Sequence, residues 1–169
     1  MRLLSITLLL FIFIPVESGY GNELSCNSPP DRVYLLRHTE REDYSEQNSP
    51  LSKDGLQRAN SLVQVIGNTP VQAIYTTRLK RTIETATPLA TSKKIAIQQI
   101  PKNRIDSLMS KICNDNAGGT LVVVGHSGTI PKILSRFQLE SNFPEYGELF
   151  IIDFKDEKTT LTKGWFGNK

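Results

Sequence analysis

Two apolar runs, each followed closely by a histidine, constrain the fold of this chain most strongly. The run Val33–Leu36 leads into Arg37 and His38, and the run Thr120–Val124 leads through a glycine into His126. Continuous apolar runs of this length predict strands that are buried on both faces, as in a parallel sheet. The chain has two histidines, and these are both of them. Because open α/β sheets bind ligands at the carboxyl ends of their strands, both histidines are predicted to line one functional rim.

Segments with a helical spacing of apolar residues separate the predicted strands. The first helix is expected from Ser52, as N-cap, to Gly67, with a buried stripe of Leu56, Ala59, Leu62, Val63 and Ile66. The second is expected from Leu79 towards Ala90, strained or shortened by Pro88. Two more helices are expected on the apolar stripes Ile105, Leu108, Met109 and Ile112, and Ile130, Ile133, Leu134 and Phe137. Further strands are expected at Val71–Tyr75 and Ile95–Ile97, and in a hairpin of Leu149–Phe154 with Thr159–Thr162. This alternation predicts an α/β fold, a three-layer sandwich with a mostly parallel central sheet flanked by helices.

The N-terminal segment differs from the rest of the chain. A basic start at Arg2, an apolar run from Leu3 to Val16 and small residues near Ser18 predict a signal peptide over residues 1–18. A retained membrane anchor is the alternative, but the run is shorter than the roughly 20 residues of a spanning helix. Residues 19–31 are then an exposed lead-in and residues 32–169 the functional domain. Export implies a periplasmic or secreted protein with no stable membrane insertion after signal removal.

Charge and cysteine content limit the classes of partner. The formal net charge of +3 is mild and does not suggest a nucleic-acid-binding protein. The two cysteines and two histidines are far apart and show no metal-ligand spacing. In an oxidising compartment Cys26 and Cys113 can form a disulfide, and two free thiols are the alternative.

A third rim segment is rich in cations. The turn that follows Val71–Tyr75 carries Arg78 and Arg81. Guanidinium groups match phosphate oxygens bidentately, and nearby cations keep an imidazole neutral and nucleophilic. A neutral imidazole can attack phosphorus and carry the phosphoryl group covalently, so this set of residues indicates phosphoryl transfer.

Four segments resemble, in order, the motifs of the histidine phosphatase (phosphoglycerate mutase-like) superfamily. Arg37-His38-Thr39 is similar to its Arg-His-Gly nucleophile motif, with threonine in place of the usual glycine. Residues 77–86 resemble the second motif, with Arg81 as its phosphate-binding arginine. Residues 125–128 resemble the segment that carries the second histidine, and residues 51–59 the start of the first helix. The resemblance extends from about residue 33 to residue 154.

The resemblance implies a role for each rim residue. His38 is expected to become phosphohistidine, Arg37 and Arg81 to bind the phosphoryl group, and His126 to stabilise it. Arg78 either lines the mouth of the pocket or faces solvent. The superfamily needs no metal and no organic cofactor.

A carboxylic acid protonates the leaving oxygen in many superfamily members, and here the candidates are Glu40 and Glu145. Arg41, beside Glu40, is interpreted as a solvated charge. The expected function is an exported, metal-independent phosphatase that acts on a phosphomonoester or phosphohistidine, in a small molecule or a cell-envelope component. The alternative is a non-catalytic protein of the same fold that binds a phosphorylated ligand.

Overall fold

The computed structural model describes residues 26–155 and 158–168, so the predicted signal peptide and the first part of the lead-in lie outside it. The strands in this part of the chain are β1 (Arg32–Arg37), β2 (Ala73–Thr76), β3 (Ile97–Gln99), β4 (Thr120–Gly125), β5 (Glu148–Lys155) and β6 (Lys158–Trp165). The helices are α1 (Lys53–Ile66), α2 (Lys80–Lys93), α3 (Ile105–Asn114) and α4 (Ile130–Arg136). None of the helices within these residues is long and apolar enough to cross a membrane.

The strands form a six-stranded sheet in the order β3-β2-β4-β1-β5-β6. Strands β3, β2, β4 and β1 are parallel, and β5 and β6 form an antiparallel hairpin at one edge. The predicted three-layer α/β sandwich with a mostly parallel sheet is confirmed, as is the edge hairpin. Strands β1 and β4 are direct neighbours in the middle of the sheet, so their carboxyl ends lie side by side.

Each face of the sheet has its own apolar core. Leu36 and Val124 point into the core under α1 and α2, whereas Leu35 and Val123 point into the core under α3 and α4. Burial of both faces explains why the two strands are continuously apolar rather than alternating. It also holds the strand ends rigidly, which favours a precisely spaced site at the rim.

Strand β2 begins at Ala73, two residues later than expected, and β6 is longer than expected. Three further details also differ from the sequence-based expectations. Helix α2 continues past Pro88 to Lys93, so the predicted shortening is wrong. The buried residues on both sides of the proline pack into one core, and this burial outweighs the one backbone hydrogen bond that proline removes. Strand β3 begins at Ile97, two residues late, because the Ile95 N–H still caps α2 through the Ala90 carbonyl at 3.0 Å. Leu56 is 47% exposed and does not belong to the core.

A disulfide joins Cys26 to Cys113. Cys113 lies in the last turn of α3, and the Ser28 N–H donates to its carbonyl at 3.1 Å. Of the two alternatives that the sequence left open, the structure has the bonded pair. The bond fastens the lead-in to the helical layer beside β4.

Candidate active site

The carboxyl ends of β1 and β4 bring the two histidines together. Arg37 pairs with Gly125 in the parallel ladder, and the His38 N–H donates to the Gly125 carbonyl at 3.0 Å. The imidazole rings of His38 and His126 lie 5.3 Å apart between centroids, in an edge-to-face arrangement. Residues far apart in sequence therefore form one cluster, as the strand-end positions predict.

His38 has a defined tautomer. Its Nδ1 lies 2.8 Å from the Thr39 carbonyl oxygen, which only accepts, so Nδ1 carries the hydrogen. Its Nε2 lies 3.1 Å from Nε of Arg81, which only donates, so Nε2 presents a lone pair. Burial, followed by the charges of His126, Arg81 and Arg37, lowers the pKa of His38 to about 3, against a raising contribution from the Thr39 carbonyl. His38 is thus a neutral imidazole at physiological pH, with Nε2 free of a proton.

His126 lies at the start of the loop that leads into α4. Its backbone N–H donates to Oγ1 of Thr129 at 2.9 Å, and its Nε2 lies 3.0 Å from Oγ1 of Thr77. Burial is the largest cause that lowers its pKa to about 4, and the charges of Arg81 and Lys102 come next. Both imidazoles are consequently uncharged before an anion enters.

Two arginines face this pair. Arg81 is buried in the first turn of α2, where its Nη1 donates to the Gln47 carbonyl at 2.7 Å. Arg37 donates from Nη1 to the Pro144 carbonyl at 3.2 Å, and its guanidinium lies 3.8 Å from the centroid of the Tyr146 ring. The Arg37 Nε is buried and has no hydrogen-bond partner among the described residues. An unsatisfied buried donor in a cationic site is a ready ligand for an anionic oxygen.

The sequence matches a family model over the part that carries Arg37, His38 and Arg81. The model is that of the histidine phosphatase superfamily, branch 1, and it matches residues 33–102. The chain is therefore similar to this superfamily over these 70 of its 169 residues. No curated protein matches the sequence.

Several solved structures have a similar fold. A phosphoglycerate mutase from Bacillus anthracis is 15% identical with a TM-score of 0.63, over 82% of this chain and 94% of that chain. YhfR from Bacillus stearothermophilus is 18% identical with a TM-score of 0.62, over 78% and 95%. A phosphoserine phosphatase from Entamoeba histolytica is 20% identical with a TM-score of 0.58, over 80% and 95%. At these identities the likeness establishes the fold of this chain.

Thr39 stands where the similar superfamily motif has glycine, and hydrogen bonds accommodate it. It is fully buried, its N–H donates to Oγ1 of Thr85 at 3.0 Å, and its own Oγ1 donates to the Gly55 carbonyl at 2.8 Å. Gly55 makes this approach possible, because a Cβ there would lie 2.3 Å from the Glu40 carbonyl oxygen. The loop that follows His38 is therefore bonded to both α1 and α2.

The two carboxylates predicted as acids do not contact the imidazoles. The Glu40 carboxylate is held by Arg58, with Nε at 2.9 and 3.1 Å and Nη2 at 2.8 Å. This engagement argues against Glu40 as the proton donor. Glu145 is exposed and lines a neighbouring surface pocket with Lys163 and Trp165, although it lies between the two residues that contact Arg37.

The structure also revises the cationic surroundings. Arg78 is exposed, which matches the solvent-facing alternative. Burial lowers the pKa of both Arg81 and His126, and the charge of the half-buried Arg41 adds to this effect. Lys102, which sequence reasoning missed, also acts on His126 and lines a narrow cavity that Thr77 and Thr129 border. Among the described residues, no group of three or more His, Cys, Asp or Glu is placed to hold a metal ion.

Tyr146 is the second residue that sequence reasoning missed. Its ring lies 3.8 Å from the guanidinium of Arg37 and 5.9 Å from the His38 ring. Burial, together with the neighbouring Tyr44 hydroxyl, raises the pKa of Tyr146, so the phenol stays protonated. The glycine that follows it was the available sequence signal, since glycine favours a turn, and Gly147 has a φ of +89° in the structure.

Proposed function

We propose that this protein is a phosphatase that hydrolyses a phosphorylated substrate through a phosphohistidine formed on His38. The observation that carries the proposal is the Nε2 lone pair of a buried, neutral His38, facing Arg81 at 3.1 Å. Nε2 attacks phosphorus, the bond from phosphorus to the leaving group breaks, and the leaving group takes up a proton. Water then attacks the phosphohistidine, which releases inorganic phosphate and restores the lone pair.

Positive charge and oriented donors stabilise the transferring group. In phosphoryl transfer the protein contributes chiefly positioning and electrostatics. The buried Nε of Arg37 and the guanidinium of Arg81 are placed to bind the oxygens on phosphorus. His126 becomes a further cation when it takes up a proton, because a phosphoryl anion favours its charged form. In the free protein the Arg37 Nε is unpaired and the Arg81 Nε bonds to the nucleophile, so both donors are available to an incoming anion.

The placement of the carboxylates bears on the substrate class. With Glu40 bound to Arg58, the imidazoles have no adjacent free acid among the contacts described above. A leaving group that needs little protonation, such as a phenol or the nitrogen of phosphohistidine, fits this site better than an alkoxide. Glu145 is the remaining candidate acid, and it would serve substrates that extend past Arg37.

Export of the protein is part of the proposal. The disulfide between Cys26 and Cys113 supports it, since such bonds persist in oxidising compartments. Substrates would then be extracytoplasmic small molecules or phosphorylated envelope components. N-terminal sequencing of the protein from culture fractions tests this, with a start at or shortly after residue 19 expected. A cell-associated protein that begins at Met1 would contradict it.

The experiment that tests the catalytic proposal is hydrolysis of an aryl phosphate in the presence of a chelator, with wild type beside His38→Ala. Turnover is expected in the wild type and none in the variant. Quenching in alkaline detergent, with substrate radiolabelled in its phosphoryl group, should trap an alkali-stable, acid-labile phosphoprotein only in the wild type. Folding of both proteins is checked by thermal unfolding. Full activity in His38→Ala refutes the nucleophile. Phosphate binding without turnover in the wild type would favour the non-catalytic alternative.

The role of Glu145 is tested with two leaving groups. Glu145→Gln should lower kcat for an alkyl phosphate far more than for an aryl phosphate if Glu145 is the acid. Glu148→Gln, a neighbouring carboxylate that pairs with Lys163 at 2.8 Å, is the matched control. Equal effects of Glu145→Gln on both substrates would remove Glu145 from the mechanism.

A further inference from the structure

Two threonine hydroxyls connect His126 to the backbone of the loop between β2 and α2. Oγ1 of Thr77 lies 3.0 Å from Nε2 of His126 and 2.9 Å from Oγ1 of Thr82. Oγ1 of Thr82 in turn lies 2.8 Å from the Leu79 carbonyl oxygen and 3.0 Å from the Thr77 carbonyl oxygen. Both threonines are buried, so the three side chains form a chain of contacts that begins at the imidazole and ends at main-chain acceptors.

The direction of each hydrogen bond in this chain follows from its far end. Carbonyl oxygens carry no hydrogen, so the contacts at 2.8 and 3.0 Å require the Thr82 hydroxyl to donate towards them. Thr82 has one hydrogen, and it therefore accepts from Thr77. The Thr77 hydroxyl has then used its only hydrogen and accepts from His126, so Nε2 of His126 carries the proton. The Leu79 N–H, at 3.4 Å, also points at Oγ1 of Thr77 and reinforces its role as acceptor.

We propose that Thr77 and Thr82 form a positioning relay that holds the proton of neutral His126 on Nε2 and leaves Nδ1 as its free basic nitrogen. The proposal deepens the proposed function, on which it rests for the role of His126. His38 has the opposite tautomer, with its proton on Nδ1 and its lone pair on Nε2. The two imidazoles of the site are thus set in complementary states by separate partners.

The relay has a direct consequence for proton movement. With Nε2 engaged by Thr77, neutral His126 can only accept at Nδ1, for example the proton of a monoanionic phosphoryl group. The resulting imidazolium then donates the same hydrogen from Nδ1 to an oxygen of the substrate, so the substrate itself supplies the proton that charges His126. Without the relay, a fraction of the molecules would carry the proton on Nδ1 and could not take up this hydrogen.

The tautomer can be measured directly. Long-range ¹H–¹⁵N correlation spectra of ¹⁵N-labelled protein distinguish the protonated from the unprotonated ring nitrogen of a neutral imidazole. The two histidines are assigned with His38→Gln, which leaves only His126. At neutral pH the wild type should show His126 protonated at Nε2 and His38 protonated at Nδ1.

Four variants locate the cause. Thr77→Val removes the acceptor and should give a mixed tautomer at His126, with kcat lowered about tenfold or more. Thr82→Val frees the Thr77 hydroxyl to donate and should shift His126 towards the Nδ1–H form. Thr77→Ser keeps the hydroxyl and should retain both the Nε2–H tautomer of His126 and the wild-type kcat. Thr87→Val deletes an exposed hydroxyl that is bonded to the Ile83 carbonyl on the same helix. It is the matched control and should change neither the tautomer of His126 nor kcat.

Two outcomes would overturn the relay. One is a wild-type His126 that is protonated at Nδ1. The other is a Thr77→Val variant, folded by its methyl spectrum, that keeps the pure Nε2–H form. Because the spectra need no substrate, the relay is judged independently of turnover. A normal tautomer pattern in a protein without phosphatase activity would refute the proposed function and leave the relay intact.

Discussion

The lowered pKa values of the two histidines predict a loss of stability in mild acid. The folded-state pKa is about 3 for His38 and about 4 for His126, whereas an unfolded histidine titrates near 6.5. As the pH falls below about 6.5, the unfolded chain takes up protons at both positions and the folded protein does not. The free energy of unfolding therefore falls with decreasing pH, and the effect is complete only below the folded pKa values.

The magnitude follows from the distance between the pH and the unfolded pKa. Each proton taken up only by the unfolded state removes about 1.4 kcal/mol per pH unit, so about 2 kcal/mol is lost per histidine at about pH 5. For the pair this amounts to about 4 kcal/mol, a large part of the 5–15 kcal/mol typical of a domain. Ordinary carboxylates contribute little to the pH dependence of stability above this pH, because they titrate at about pH 4.

The assay is urea denaturation at about pH 7 and about pH 5, followed by the fluorescence of Trp165, the single tryptophan of the chain. His38→Gln and His126→Gln each remove one titrating group and should each reduce the pH-dependent loss by about half. Replacement of both should nearly abolish it. The same loss in the wild type and in both single variants would refute the reasoning, since the protons would then bind elsewhere.

Three further predictions concern groups around the site. Reduction of the Cys26–Cys113 disulfide, which spans 87 residues, should lower the free energy of unfolding by about 4–5 kcal/mol. Urea denaturation with and without reductant measures this loss, and unchanged stability would contradict the prediction. Tyr146→Ala should raise KM for an aryl phosphate about tenfold, because Arg37 loses the ring beneath its guanidinium, whereas Tyr146→Phe should keep a near-normal KM. Equal effects of the two would show that the hydroxyl matters, not the ring. Lys102→Ala should raise KM up to about fivefold at low salt and have little effect at high salt, and an effect independent of salt would argue against a role through charge.

Much of the fold was predictable because its signals are local. The runs Val33–Leu36 and Thr120–Val124 indicate strands that are buried on both faces. The helical stripes between them indicate that the strands are parallel. From this alternation alone His38 and His126 were expected at one rim, and the structure places their rings 5.3 Å apart. Pro88 was misjudged because helix breaking is a local tendency, whereas burial on both sides of it is a tertiary effect.

The partners of the site residues were much less predictable. The sequence around Glu40 does not indicate that its carboxylate is bonded to the guanidinium of Arg58, 18 positions later. Tyr146 meets Arg37 only because the loop after α4 folds back over the end of β1. Such pairings depend on the exact path of loops, and period-based reasoning does not describe loops.

The sequence by itself determined the strand–helix alternation, the two histidines at strand ends and the cation-rich turn, because periodicity and residue type specify which face is buried and where each strand stops. The tertiary structure decided the protonation states of His38 and His126. The carbonyl of Thr39 and the hydroxyl of Thr77 select the ring nitrogens that carry hydrogen, and burial beside Arg81 keeps both rings neutral. Hydrogen-bond direction and desolvation are properties of assembled neighbours, so they arise only when separate segments meet.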